Sequence, residues 1–421
     1  MKKLILMSTT LLSSAVMAAM PVNHPVGSSF TLSSSPNQRA LSTALGNPAA
    51  PFLMVNEQDN DSFRFGILGP LGVGVEFGDV SDLEDQVESL EDILDTDYGS
   101  DTTAGAGAAD GANEILAEIG DSAYVKTSVS MQVPLMPVIY KTKNNGAFIL
   151  DVSISGSLKA SLLASEVEYD STEEDFNTDT SLYAQTVTDL NIGLGYSQSM
   201  WQNSHGMLVG GVKASLHQIS LGRALASLDD NGDDDYDAGD EISDGLSDDS
   251  VSSTGIGLDF GLIWLSDYYQ AGVTFANINE PEFDGVLITT NDVADEYSIS
   301  SNETYIMEMQ TTIDAAITTS GKQVTLGFSY DVNPVEDAFG DEYQWVAASL
   351  SYYGDSHFLP GLRVGFRQNT AGSELSYASA GLTLLKRFNL DLAVALDTVE
   401  SEDGETVPRS FYIALGYNAA F

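Results

Sequence analysis

The chain has 421 residues, a formal net charge of −46 from 62 acidic and only 16 basic residues, and no cysteine. That charge leaves no basic footprint for nucleic acid. The missing thiols exclude disulfides, thiolate metal sites and thiol redox chemistry. With 38 Gly, 18 Tyr and 17 Phe, the composition suits many strands separated by polar loops,.

Met1-Lys2-Lys3, an apolar run from Leu4 to Val16 and the small pair Ala18-Ala19 have the order of a secretory signal peptide, expected over residues 1–19,. No later stretch offers the roughly 20 consecutive apolar residues of a spanning helix. Residues 20–61 carry no long alternation and are expected to form a periplasmic leader or a plug. Within them stand Asn47, Pro48 and Ala49, just before an apolar run from Pro51 to Val55.

Strand periodicity starts at Phe63, Phe65 and Ile67 and continues through Leu71, Val73, Val75 and Phe77,. Gly69-Pro70 between them predicts a bulge or kink, because proline cannot donate to a ladder. Leu83, Val87, Leu90 and Leu94 then recur at helical spacing among acids, followed by Ala104–Gly111, expected to be flexible, and a short helix near Ile115–Ile119,. This acidic insert, 79–122, is expected to be an extracellular loop. From Val125 onward thirteen further alternating segments are predicted: 123–134, 146–164, 181–199, 206–222, 252–265, 268–278, 303–318, 322–331, 342–353, 361–369, 375–385, 387–398 and 409–421.

The two faces of these segments differ in kind. One face is apolar, as in Phe148, Leu150 and Val152 or Ile256, Leu258 and Phe260. The other carries Lys126, Asp151, Lys159, Asp189, Lys213, His217, Asp259, Glu308, Asp314, Arg363, Arg367, Asp391 and Asp397. A soluble barrel would hide the apolar face, whereas here the charges fit a lumen and the apolar face fits lipid, where a midplane Lys or Arg costs about 2–4 kcal/mol. Connections alternate as well: short turns such as Ser266-Asp267 on one side, and long acidic loops at 79–122, 165–180, 223–251 and 279–302 on the other. Pro134–Asn145 and Gly354–Pro360 are longer than that rule prefers. The expected fold is all-β: a transmembrane antiparallel β-barrel of about fourteen strands over residues 62–421, with both termini periplasmic.

The last strand ends Gly416-Tyr417-Asn418-Ala419-Ala420-Phe421. Gly416, Tyr417, Ala419 and Phe421 stand where the C-terminal insertion signal of Gram-negative outer-membrane barrels has its matching residues, which implies recognition by the barrel-assembly machinery. Fourteen strands, a plug-sized leader and Asn47-Pro48-Ala49 together resemble the FadL-like outer-membrane transport barrels. In layout, with its acidic helical insert after the first strand, the chain looks most like the TraF-like conjugal transfer outer-membrane proteins. The resemblance implies passive passage of small or hydrophobic solutes and a link to conjugation machinery. No ligand-binding residue carries over, and a thioredoxin-type activity is closed to a chain lacking cysteine.

Three local features carry chemistry of their own. Asp229, Asn231, Asp233, Asp235, Asp237 and Asp240 occupy places 1, 3, 5, 7, 9 and 12 of an oxygen-rich Ca²⁺ loop, although Asp234 stands where such loops need glycine,. The alternative is a solvated acidic loop that meets divalent ions and lipopolysaccharide diffusely. His217 sits near Ser220, but their odd separation puts them on opposite faces, so a Ser-His enzyme is not expected and no catalytic residue is assigned. Arg363 and Arg367 share the inward face and are expected to pair with lumen carboxylates such as Asp391 or Asp259, rather than to attract anions. The rival to a channel is a closed barrel that displays acidic loops for recognition, without transport.

Overall fold

The computed structural model describes residues 28–55, 62–79, 83–94, 96–142, 146–172, 174–228, 237–248, 250–288, 293–294, 297, 299, 304–354, 359–400 and 406–420. Its main sheet is antiparallel throughout and closes on itself. The staves are β1 Phe63–Phe77, β2 Tyr124–Gln132 resuming as Val138–Lys141, β3 Gly146–Leu163, β4 Ser181–Asn203 and β5 Gly206–Ser227. They continue as β6 Val251–Leu265, β7 Tyr269–Ala276, β8 Gln310–Thr318, β9 Val324–Asp331 and β10 Trp345–Tyr352. The last four are β11 Gly361–Asn369, β12 Ser376–Leu384, β13 Phe388–Ala395 and β14 Ser410–Ala420. Both pieces of β2 pair with β1 and β3, so the sheet has fourteen staves. Closure is visible at Val73, which faces Val129 of β2 and Ile413 of β14.

The wall follows from side-chain chemistry that alternates with the pleat. Leu194, Val212, Ile256, Leu326 and Val364 are all more than half exposed on the outside. On the same staves Lys213, Asp189 and Arg363 turn inward and are buried or nearly so. A continuous apolar exterior of this extent is stable in lipid and not in water. The turn end of the barrel carries an aromatic rim, with Phe63 and Tyr140 at 4.7 Å, Phe148 and Tyr196 at 4.8 Å, and Trp201 and Trp264 at 5.7 Å between ring centroids. Such rings suit a membrane–water interface, being apolar in body and polar at the tip.

The Gly69-Pro70 irregularity appears as two register shifts in the β1–β14 ladder, between Gly66 and Leu68 and between Leu68 and Leu71. The break in β2 lies directly opposite: the Gly66 amide donates to the Pro137 carbonyl at 3.3 Å, and a Cβ at Gly66 would overlap the Met136 carbonyl. Beyond the break Val138–Lys141 rejoins the sheet, pairing with Ala147–Leu150. The connection expected over Pro134–Asn145 therefore shrinks to 142–145, in keeping with the other short turns.

Three sequence expectations are corrected at the loop end. Ala104–Gly111 is helical, inside one continuous helix Thr102–Ser122 (α2) that follows α1, Leu83–Leu94. Alanine is the strongest helix former, Asp101 caps the first turn by accepting from the Thr103 and Ala104 amides, and Gly105 leaves room for the Tyr169 ring,. The eighth stave begins at Gln310 instead of 303, because Tyr305-Ile306 pairs with Glu282-Phe283 in a hairpin of its own. Glu308 thus lies in a loop, where its carboxylate accepts from the Glu336 amide at 3.0 Å. A third helix, Ala238–Asp248 (α3), packs Ile242 on Leu182, Ala184, Ala224 and Ala226, where β4 and β5 run on past the start of β6.

Candidate functional site

Residues 28–55 lie inside the barrel and are almost entirely buried. Arg39 is their single ionisable side chain, and hydroxyl groups alternate with apolar residues. A segment of that composition can enter a polar lumen because each hydroxyl finds a partner there. Ser28 and Thr31 donate to the two Asp391 oxygens at 2.8 and 2.6 Å. The Ser33 and Ser34 amides donate to Ser349 and Ser329, Asn37 to Ser351, and Gln270 to Ser35. At the turn end the plug turns apolar, and Phe52, Leu53 and Met54 pack with Ile139, Ile149, Val209 and Ile263 of the wall.

Asn47, Pro48 and Ala49 make the plug's closest approach to the wall. Asn47 is fully buried; its Oδ1 accepts the Ala49 amide at 2.9 Å and its Nδ2 donates to the Val273 carbonyl at 3.3 Å. The approach needs glycine on the wall. A Cβ at Gly211 would overlap the Pro48 carbonyl, and one at Gly261 would overlap the Asn47 side chain,. Gly327 and Gly365 make the same room for Ser33 and for the Thr31 carbonyl.

The predicted lumen residues fall into separate contacts. Arg363 holds Asp391 through Nε at 3.0 Å and Nη2 at 2.9 Å, with both side chains fully buried. Asp259 meets neither arginine and accepts the Asn277 amide at 2.9 Å. Arg367 donates to the plug carbonyls of Ser29 and Leu32 at 2.9 and 3.2 Å, and its guanidinium lies 5.1 Å from the Phe30 and Trp345 rings. Lys213 lies 3.7 Å from Asp151, and His217 Nδ1 lies 2.9 Å from Asp189. Ser220 bonds Ser252 at 2.9 Å on the opposite face from His217, so the two form no dyad.

Above the plug the lumen is layered, as the inner face of β5 shows residue by residue. Lys213, Ser215 and His217 line an inner chamber of about 260 Å³. Ile219 belongs to an apolar collar with Val187, Phe283, Val286, Met307 and Phe339. Leu221 and Arg223 line an outer chamber of about 410 Å³. The collar is built largely from the loops 277–309 and 332–344, folded into the mouth as a cover. Ion pairs pin that cover: Lys126 Nζ lies 2.6 Å from Asp337 and 2.7 Å from Asp341, and Lys159 lies 2.6 Å from Asp341. Burial alone would raise the Asp341 carboxyl, but the Lys126 and Lys159 ammonium groups hold it below its ordinary value,.

The remaining sequence-predicted sites lie at the edges. Asp229, Asn231, Asp233 and Asp235 fall outside the described residues. Asp237 accepts the Gly239 amide at 2.8 Å at the start of α3, and Asp240 lies in its first turn. Among the described residues no cluster of His, Asp and Glu is arranged to hold a metal ion. Gly416 and Tyr417 face Asn389 and Phe388, and Ala419 faces Phe65 across the closing seam, while Phe421 is outside the described residues. Sequence reading missed Ser28, Thr31, Gln132, Asn191, Asp331, Asp337 and Asp341. For the first two the available signal was hydroxyls at close spacing in a nearly uncharged leader.

A closed wall with a lipid-facing apolar exterior, filled by its own N-terminal segment, defines a plugged transmembrane β-barrel. The chain belongs to the family described as "F plasmid transfer operon, TraF, protein", whose model matches residues 44–331. No curated protein sequence matches it. Among solved structures it is similar to the P. putida toluene transporter TodX (TM-score 0.48, 12% identity, 94% of this chain and 98% of that one). It is similar to the Ralstonia pickettii toluene transporter TbuX (0.46, 11%, 97% and 100%) and to a Pseudomonas aeruginosa FadL homologue (0.45, 11%, 96% and 99%).

Proposed function

We propose that this protein is an outer-membrane channel for passive, gated passage of small solutes, with its short turns and both termini on the periplasmic side. The observation that supports this reading is the layered lumen: two chambers in series, separated by a collar in which the loop residues Phe283, Val286, Met307 and Phe339 close against the wall. A purely structural barrel has no need of cavities along its axis, and removing the cover and the plug would leave a continuous route. The signal-like N-terminus and the aromatic C-terminal strand are consistent with export and with insertion by the barrel-assembly machinery.

A second reading, recognition without transport, draws on the ion pairs that shut the mouth and on the acidic helices α1 and α2 beside it. Planar-bilayer conductance separates the two. The mature protein should show low conductance with brief openings, and deletion of residues 28–55 should raise it at least about tenfold, since the plug fills the lumen. The channel reading fails if the plug-deleted barrel, still shifted on gels by boiling, conducts no more than a protein-free bilayer.

A further inference from the structure

The inner chamber is where the lumen's hydrogen-bonding capacity is left over. Its lining carries four carboxylates, Asp151, Asp189, Asp259 and Asp331, against the cations of Lys213 and Arg367. Lys213 lies 3.7 Å from Asp151, His217 lies 2.9 Å from Asp189, and Asp259 accepts a backbone amide. An excess of carboxylates disfavours an anionic solute. The chamber is not apolar either, since serine and threonine side chains from plug and wall line it.

Among its lining residues, several buried polar atoms have no partner in the protein: Gln132 Oε1, Asp189 Oδ1, Asn191 Oδ1, Ser130 Oγ and Arg367 Nε. Gln132 is 1% exposed, Arg367 3% and Asp189 7%. Buried groups of this kind are rarely left unpaired, and several around one cavity mark where water or the hydroxyl groups of a solute sit. Trp345 adds a ring to the same wall, held between the Arg367 guanidinium and Tyr343.

We propose that the inner chamber binds a neutral, polyhydroxylated solute of monosaccharide size. Its hydroxyls donate to Gln132, Asp189 and Asn191 and accept from Arg367 Nε, beside Trp345 in the chamber lining. At about 260 Å³ the chamber falls just below the 300–1,000 Å³ of pockets for drug-sized molecules, so it holds one sugar ring and no long acyl chain,. A toluene-like solute would leave every one of these polar atoms unpaired. The proposal rests on the channel reading for delivery of the solute, but binding itself requires no passage.

The chain has three tryptophans. Substituting Trp201→Phe and Trp264→Phe on the outer rim leaves Trp345 as the reporter. Titrating the purified full-length protein in detergent with glucose should give a saturable change in Trp345 emission, with toluene giving none. Gln132→Leu and Asn191→Leu, which keep side-chain size, should each weaken glucose binding about tenfold or more, because each removes an acceptor from a desolvated site. No saturable response to glucose, mannitol or inositol by protein that still shifts on boiling overturns the proposal. So does an equal response to toluene, or one that both leucine variants leave unchanged. Conductance of the same preparation separates the two claims: conduction without sugar binding sinks this proposal alone, and binding without conduction upholds it while removing the channel.

Discussion

The two ends of the lumen are shut by different physics. At the turn end the stopper is the chain's own N-terminal segment, seated by an apolar cluster around Phe52 and Leu53 and by glycines that let backbone touch wall. At the loop end the stopper is a cover whose hold on the wall includes Lys126, Lys159, Asp337 and Asp341. Apolar packing is insensitive to salt and mild acid, whereas ion pairs that are partly wet respond to both. The loop-end cover is therefore the closure that responds to salt and acid, and the plug the one that does not.

The sharpest way to break that contrast is Lys126→Met. Asp337 is only 1% exposed, so losing its cation strands a buried carboxylate and should destabilise the closed cover by about 3–5 kcal/mol,. Protease cleavage within residues 332–344 should become rapid while the plug stays protected; equal cleavage of variant and parent would remove the ion-pair account.

Gly261→Leu attacks the other end with a smaller effect, about 1–3 kcal/mol of overpacking against Asn47 and Pro48,. The chain lacks cysteine, so Ala49→Cys reports directly on plug seating: maleimide labelling should accelerate in the Gly261→Leu background, with cover cleavage unaltered. Unchanged labelling would mean that the glycine approach does not hold the plug.

Acidification should give the smallest effect, and only at the loop end. With the cover closed the Asp341 carboxyl binds its proton less readily than its ordinary value of 3.8 implies. Its contribution is therefore complete above that value and fades as pH falls through the lower, closed-state value. Cleavage of the cover should be flat from neutral pH down to about 4 and rise only below it. A rise near pH 6 would assign the gate to a different group.

Much of the wall was legible because lipid on one side and a charged lumen on the other give each stave a strict period of two. Lys213 and His217 against Val212 and Leu216 show it within six residues. What the period cannot reveal is which inward residue meets which. Arg363 and Asp391 are brought together only by the β11-β12-β13 register, and Asp259 is consumed by a loop amide instead. The Gly-Ala stretch of α2 reads as flexible from its glycines, until Tyr169 is seen to occupy the space beside Gly105. The plug is visible as a segment but not as a shape, since bonds such as those of Ser28, Ser33 and Asn37 run to wall partners hundreds of positions away.

One of those bonds sets an order of events. Ser28 and Asp391 are separated by 363 positions, so the first described residues can be locked only once the thirteenth stave is in place. Phe52 and Leu53, by contrast, have their wall partners Ile139, Ile149, Val209 and Ile263 once β6 is in place. The two halves of the leader would then seat in turn, the apolar half early and the hydroxyl-rich half only after almost the entire polypeptide is laid down.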